Sequence, residues 1–141
     1  MMKQIPMKSV KNILLVDDDE IFTFLTKRTI EETKLVDQIR IFGNGQDAIE
    51  FLEQSADDKE SLPEVIFLDI NMPILDGWGF LEEYILLKPH LGKKITLYII
   101  STSISPHDLE RAKNISAVSD YILKPLTKEG FINLLRNLPV E

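Results

Sequence analysis

The sequence predicts an α/β fold: a doubly wound, five-stranded parallel sheet with helices on both faces. Short apolar runs alternate strictly with segments of helical periodicity, the pattern of parallel strands joined by crossover helices. Several of the runs are apolar throughout, as strands covered on both faces must be. Four of them also stop at an acid, a hydroxyl or a lysine.

The first strand is Ile13-Leu14-Leu15-Val16, ended by Asp17-Asp18. Asp19-Glu20 opens a helix whose apolar residues are Ile21, Phe22, Leu25 and Ile30. Gln38 to Phe42 alternates polar residues with Ile39 and Ile41 and reads as the second strand, broken by Gly43-Asn44-Gly45. Ala48, Ile49, Phe51 and Leu52 give the stripe of a second helix, and the polar stretch Ser55 to Pro63 reads as an exposed loop. Val65-Ile66-Phe67-Leu68 is the third strand, ended by Asp69. Pro73 and Gly77 bracket a turn before a third helix, Trp78 to Leu87, with Leu81, Tyr84 and Ile85 on one side. Lys88-Pro89 ends that helix, because proline disfavours helix at the residue before it. Leu97-Tyr98-Ile99-Ile100 is the fourth strand, ended by Ser101-Thr102. Ser105-Pro106-His107-Asp108 starts a short, weakly apolar fourth helix, with serine as N-cap and proline at the first position. Tyr121-Ile122-Leu123 is the fifth strand, ended by Lys124-Pro125. Phe131, Leu134, Leu135 and Leu138 form the inner face of the last helix. Right-handed crossovers leave few topologies for such a chain. The flavodoxin-like strand order 2-1-3-4-5 is adopted from known doubly wound sheets.

The chain of 141 residues is expected to form one domain over 1–141, with its core at about 11–138. It contains no cysteine, which excludes disulfides and thiolate metal sites. A net charge of −7 opposes direct nucleic-acid binding. No apolar run approaches the ~18 residues of a membrane span. The segment Met1 to Asn12 carries three lysines, but the apolar run after it is too short for a signal peptide. A cytoplasmic location with no membrane contact is expected.

In an open parallel sheet the C-terminal strand ends share one edge, where ligands bind. Asp17, Asp18, Asp69, Ser101 and Lys124 should therefore converge. Three close carboxylates repel unless a hard cation sits among them, and oxygen ligands suit Mg²⁺. Lys124 adds a point charge for an incoming phosphoryl group. The set has the parts of a phosphoryl-transfer site: nucleophile, cation and charge stabilisers. Taken singly, each part has an ordinary explanation. Acids favour helix N-termini, an aspartate before proline and glycine favours a turn, and a serine at a strand end favours local capping. Their joint placement at four strand ends is what favours chemistry.

Val16-Asp17-Asp18-Asp19-Glu20, Phe67-Leu68-Asp69-Ile70-Asn71-Met72-Pro73 with Asp76-Gly77, and Tyr121-Ile122-Leu123-Lys124-Pro125 resemble the receiver domain of two-component response regulators. The similarity runs from about Lys11 to Leu138. The resemblance implies that Asp69 is the phosphoacceptor and that Asp17, Asp18, Asp69 and the backbone carbonyl of Asn71 hold Mg²⁺. It implies that Lys124 pairs with the acceptor carboxylate or phosphoryl group, that Ser101 is the switch hydroxyl and Tyr121 its aromatic partner, and that Lys124-Pro125 is cis. A threonine is usual at the switch position, and a one-residue slip would place Thr102 there or in contact with the phosphoryl group. Ser101 is preferred because it directly follows the apolar strand. Ser103, at the variable position, brings no charge with which to steer a hydrolytic water. The implied partners are a sensor histidine kinase or histidine phosphotransfer protein upstream, and a protein engaging the helix 4–strand 5–helix 5 face downstream.

Other readings compete. A haloacid-dehalogenase-type phosphatase needs an acid/base aspartate two residues after the nucleophile, where this chain has Asn71. A phosphorylation-independent binding module of the same fold would be suggested by loss of an acid or of Lys124, and all are present. Flavin binding lacks a hydroxyl- and glycine-rich loop after the first strand. The expectation is thus a non-enzymatic phosphoacceptor, with at most self-catalysed phosphorylation and dephosphorylation. His90, in a turn, and His107, in a helix first turn, sit in no convergent polar site and are not read as phosphohistidines, and Trp78, Phe80 and Tyr84 are read as core or helix surface. The acidic loop Asp57 to Glu60 is read as solvated. Gly79, early in the third helix, has no explanation at this level. With about sixteen residues after Pro125, the output is expected to be a partner protein, a relay step or self-association.

Overall fold

A computed structural model describes residues 10–138. The lysine-bearing N-terminal segment lies, up to residue 9, outside the described residues. The elements run β1 (Val10–Val16), α1 (Glu20–Glu32), β2 (Val36–Phe42), α2 (Gly45–Gln54), β3 (Val65–Leu68) and α3 (Gly77–Leu87). A 3₁₀ turn (Lys88–His90) then leads to β4 (Thr96–Ser101), α4 (Pro106–Lys113), β5 (Val118–Leu123) and α5 (Lys128–Arg136). The strands form one parallel sheet in the order β2-β1-β3-β4-β5, the flavodoxin-like order.

Alternation along the strands divides the core in two. Leu14, Val16, Ile66, Leu68, Leu97 and Ile99 face one side, where Ala48, Ile49 and Leu52 of α2 and Phe80, Leu81 and Tyr84 of α3 cover them. Ile13, Leu15, Val65, Phe67, Tyr98 and Ile100 face the other, against Ile30 of α1 and Phe131 and Leu135 of α5. Every residue of β3 and β4 is buried, which is why those runs carry no alternation. β2 is an edge strand with only partial burial: Ile39 and Phe42 are half-buried, whereas Ile41 is exposed. No helix among the described residues is long and apolar enough to cross a membrane.

Each helix starts on a side chain that accepts a backbone N–H of its first turn: Asp19, Asn44, Asp76, Ser105 and Thr127. The α1 stripe differs from expectation. Of Ile21, Phe22, Leu25 and Ile30, only Ile30 is fully buried, while Ile21, Phe24 and Leu25 are exposed. The inward face is instead Thr23, Thr26 and Ile30. Capping by Asp19 directly after β1 fixes the phase of the helix. Thr23 is tolerated inside because its hydroxyl donates to the carbonyl of Glu20 at 3.1 Å. In α3 the inner residues are Trp78, Phe80, Leu81 and Tyr84, and Ile85 lies at the edge, half exposed. At Gly79 a Cβ would lie 2.5 Å from Cδ1 of Leu75, the tip of a flexible side chain, which would have to shift.

Candidate functional site

The sheet's hydrogen-bond ladder continues just past the strand ends, and this brings the polar residues together. Asp17 donates its N–H to the carbonyl of Phe42, Asp69 to that of Val16, and Lys124 to that of Ser101, all at 2.9 Å. The ligand oxygens of Asp17, Asp18 and Asp69 lie within 4.8 Å of one another. Asp17 and Asp69 are buried, whereas Asp18 is exposed. The next acid, Asp19, is occupied in capping α1 through the N–H of Phe22 and stands outside the group.

Lys124 reaches into this cluster and pairs with two of the acids. Its Nζ lies 2.7 Å from Oδ2 of Asp17 but 3.5 Å from Oδ1 of Asp69, so its shorter contact is with Asp17. The other oxygen of Asp17 accepts the N–H of Asp19 at 3.0 Å. Burial, then the negative charge of Asp17, raise the Asp69 carboxyl to a pKa of about 6, against a smaller opposing pull from Lys124. With one ammonium among three acids, the cluster is short of positive charge. Three hard oxygen donors are the set a divalent ion such as Mg²⁺ takes, so the residues present fit that metal.

Around this centre, Asn71 is exposed in the loop after Asp69. Gly77 packs beneath it: a Cβ there would lie 2.3 Å from the Asp69 carbonyl oxygen. Ser101 is buried at the end of β4, and its hydroxyl accepts the N–H of Ser103 at 3.0 Å. Thr102 is exposed. Tyr121 donates its hydroxyl to the carbonyl of Ser103 at 2.9 Å, and the Ser103 hydroxyl bonds Asp108 of α4 at 2.7 Å. The Lys124-Pro125 peptide is cis. His90 and His107 are exposed, and Trp78, Phe80 and Tyr84 belong to the core.

Two contacts had no readable signal in the sequence. The ring of Phe22 stands with its centroid 4.1 Å from Nζ of Lys124, and Arg111 of α4 lies 4.4 Å over the ring of Trp78. Both join residues distant in sequence, which only the folded chain brings together.

Comparison with known proteins agrees with this arrangement. The family described as "Response regulator receiver domain" matches residues 13–136. A relative from Methanothrix harundinacea, described as "Probable methanogenesis regulatory protein FilR2", is 30% identical over 117 residues, covering 83% of this chain and 74% of that protein. Other curated relatives are longer, and the chain spans 27% and 19% of the length of two of them. A two-component response regulator from Cytophaga hutchinsonii superposes with a TM-score of 0.76 at 33% identity, covering 92% of this chain and 96% of that one. A phosphorylated cyanobacterial phytochrome response regulator, RcpA, gives 0.71 at 27% identity, covering 89% of each chain. With the family matched over nearly all of its described residues, and with an acidic pocket and a lysine at the matching strand ends, this chain belongs to the response regulator receiver domain family.

Proposed function

We propose that the protein is a signalling switch that accepts a phosphoryl group on Asp69 from a histidine kinase or histidine phosphotransfer protein, with Mg²⁺ held by Asp17, Asp18, Asp69 and the Asn71 carbonyl. The observation that carries this reading is the convergence of three carboxylates and Lys124 at one sheet edge. The solved structure of a phosphorylated relative supports it.

In the proposed reaction a carboxylate oxygen of Asp69 attacks phosphorus. The P–O bond forms as the P–N bond to the donor imidazole breaks, and the imidazole leaves with the bonding pair and takes a proton from solvent. Asp69 is mostly ionised at neutral pH, as a nucleophile must be. Bound Mg²⁺ supplies positive charge for the phosphoryl oxygens. Lys124 turns from Asp17 to the new phosphoryl group as a second point charge. Ser101 donates its hydroxyl hydrogen to a phosphoryl oxygen, with Thr102 as a further contact. Because the Ser101 hydroxyl now holds the N–H of Ser103, its movement pulls on the bonds from Ser103 to Tyr121 and Asp108. That route leads to α4, and the α4–β5–α5 face is the proposed surface for a downstream partner. On the input side, exposed Ile21, Phe24 and Leu25 of α1 give a protein donor an apolar footing beside the acids. Such a switch operates in the cytoplasm, where its kinase domain would be.

Acetyl phosphate with Mg²⁺ should add one base- and hydroxylamine-labile phosphoryl group, read by intact mass. The Asp69→Asn variant should remain folded and unmodified. Modification of that variant at the wild-type level would sink the assignment.

A further inference from the structure

Phe22 sits on the first turn of α1, partly buried against the α1–α5 side of the core. Its ring centroid is 4.1 Å from Nζ of Lys124, well inside the ~6 Å over which an aromatic face attracts an ammonium. The same Nζ lies 2.7 Å from Oδ2 of Asp17, and the Lys124 side chain is only 11% exposed. The ammonium is thus held by a carboxylate and by the ring, in a setting where little water competes.

Asp17 is also one of the three carboxylates whose oxygens cluster within 4.8 Å. A divalent ion that takes an oxygen of Asp17 would stand within a few ångströms of the ammonium, and the two cations would repel. Binding the ion therefore requires Lys124 to loosen its hold on Asp17. The ring face of Phe22 favours the position the ammonium must leave.

We infer that Phe22 is a positioning residue that keeps the Lys124 ammonium on Asp17 and thereby weakens divalent-cation binding at Asp17, Asp18 and Asp69. This rests on the metal-site reading given above. The ring makes the resident ammonium a competitor of the metal, so the pocket stays charge-compensated until an ion displaces it. A ring in this place also gives Lys124 a defined starting point for its turn toward Asp69, which lies 3.5 Å away.

The test is calorimetric titration of the full chain with Mg²⁺ and, separately, Mn²⁺, with no phosphodonor present. Phe22→Leu keeps apolar bulk but removes the ring face, and should tighten binding about 3- to 10-fold, the range expected for losing one partly desolvated cation–π contact. Phe22→Tyr keeps the face and should bind as the wild type does. In a Lys124→Met background Phe22→Leu should no longer change the affinity, because the competing ammonium is gone. Equal affinities in wild type and Phe22→Leu would overturn the inference, as would tightening that persists without Lys124. If the wild type itself takes up neither ion, the metal-site reading falls and this inference with it, an outcome distinct from a wild type that titrates normally beside an unaltered Phe22→Leu.

Discussion

At the scale of single residues, Asp69 stands out because its environment works against its own charge. Its carboxyl sits near 6 in the folded protein, above the ordinary aspartate value of 3.8, chiefly through burial and next through Asp17. A folded-state value above the unfolded one means that ionisation costs stability. The cost is absent below about pH 4, grows as pH rises toward 6, and is complete above it. At pH 7.5 in a chelator, Asp69→Asn should therefore be more stable than wild type by about 2–3 kcal/mol. In urea unfolding the gain should shrink as pH falls through 6 and vanish near pH 4; a gain independent of pH would exclude this cause. Gly77 gives a second case. A methyl group there would collide with the backbone of Asp69 and Ile70, at 2.3 and 2.8 Å, and backbone yields less readily than a side-chain tip. Gly77→Ala should cost about 1–3 kcal/mol and slow phosphorylation by displacing Asp69. Gly43→Ala, with nothing within 4 Å of the new methyl, should be nearly neutral by the same unfolding assay. The motif around Asp69 was legible in the sequence. The reason for its glycine was not, because the clash is with a strand end eight residues earlier that only the fold returns to that place.

At the scale of elements, α1 and α4 carry the two surfaces proposed above for input and output. α1 presents Ile21, Phe24 and Leu25 outward because its phase is set by the Asp19 cap, and these residues gain nothing from the core. Replacing Phe24 with aspartate should lower the ratio of phosphotransfer from a protein donor to phosphorylation by acetyl phosphate, measured side by side. A ratio equal to that of wild type would remove α1 from the input surface. α4 has eight residues and buries only Ala112, so side-chain ties hold it: Ser103 to Asp108 and Arg111 over Trp78. Elements with so few buried contacts open and shift most readily. Beryllofluoride with Mg²⁺ should alter hydrogen exchange mainly between Ser101 and Pro125. Ser101→Ala should still accept the phosphoryl group but show little of that change; the full wild-type pattern in this variant would overturn its switch role. The sequence placed the start of α4 correctly, since serine, proline and aspartate there satisfy a helix N-terminus by local bonds. It misplaced the α1 stripe, because inward threonines read as polar until a hydroxyl can turn to a helix carbonyl, as that of Thr23 does to Glu20.

At the scale of the whole molecule, a parallel sheet gathers like charge at one edge in a chain already carrying −7. Added Mg²⁺ should raise the unfolding temperature in a concentration-dependent way, since an ion that binds only the folded state stabilises it by mass action. Asp18→Ala should lose most of this dependence, yet be at least as stable as wild type in chelator, because one of three repelling carboxylates is gone. Equal Mg²⁺ dependence in the two proteins would remove Asp18 from the metal site. What the sequence determined by itself was the alternation of strands and helices, the starts of α1 and α4 and the polar residues that end four strands. All of these are local, set by periodicity, capping and the burial of short apolar runs. Tertiary structure alone decided that Lys124 lies closer to Asp17 than to Asp69, that Phe22 stands over its ammonium, and that Arg111 rests on Trp78. Those pairings join residues 33 to more than 100 positions apart. They depend on where the strand ends and helix faces come to lie, and a side chain's nearest partner is settled only once the sheet has brought the competing charges within a few ångströms of one another.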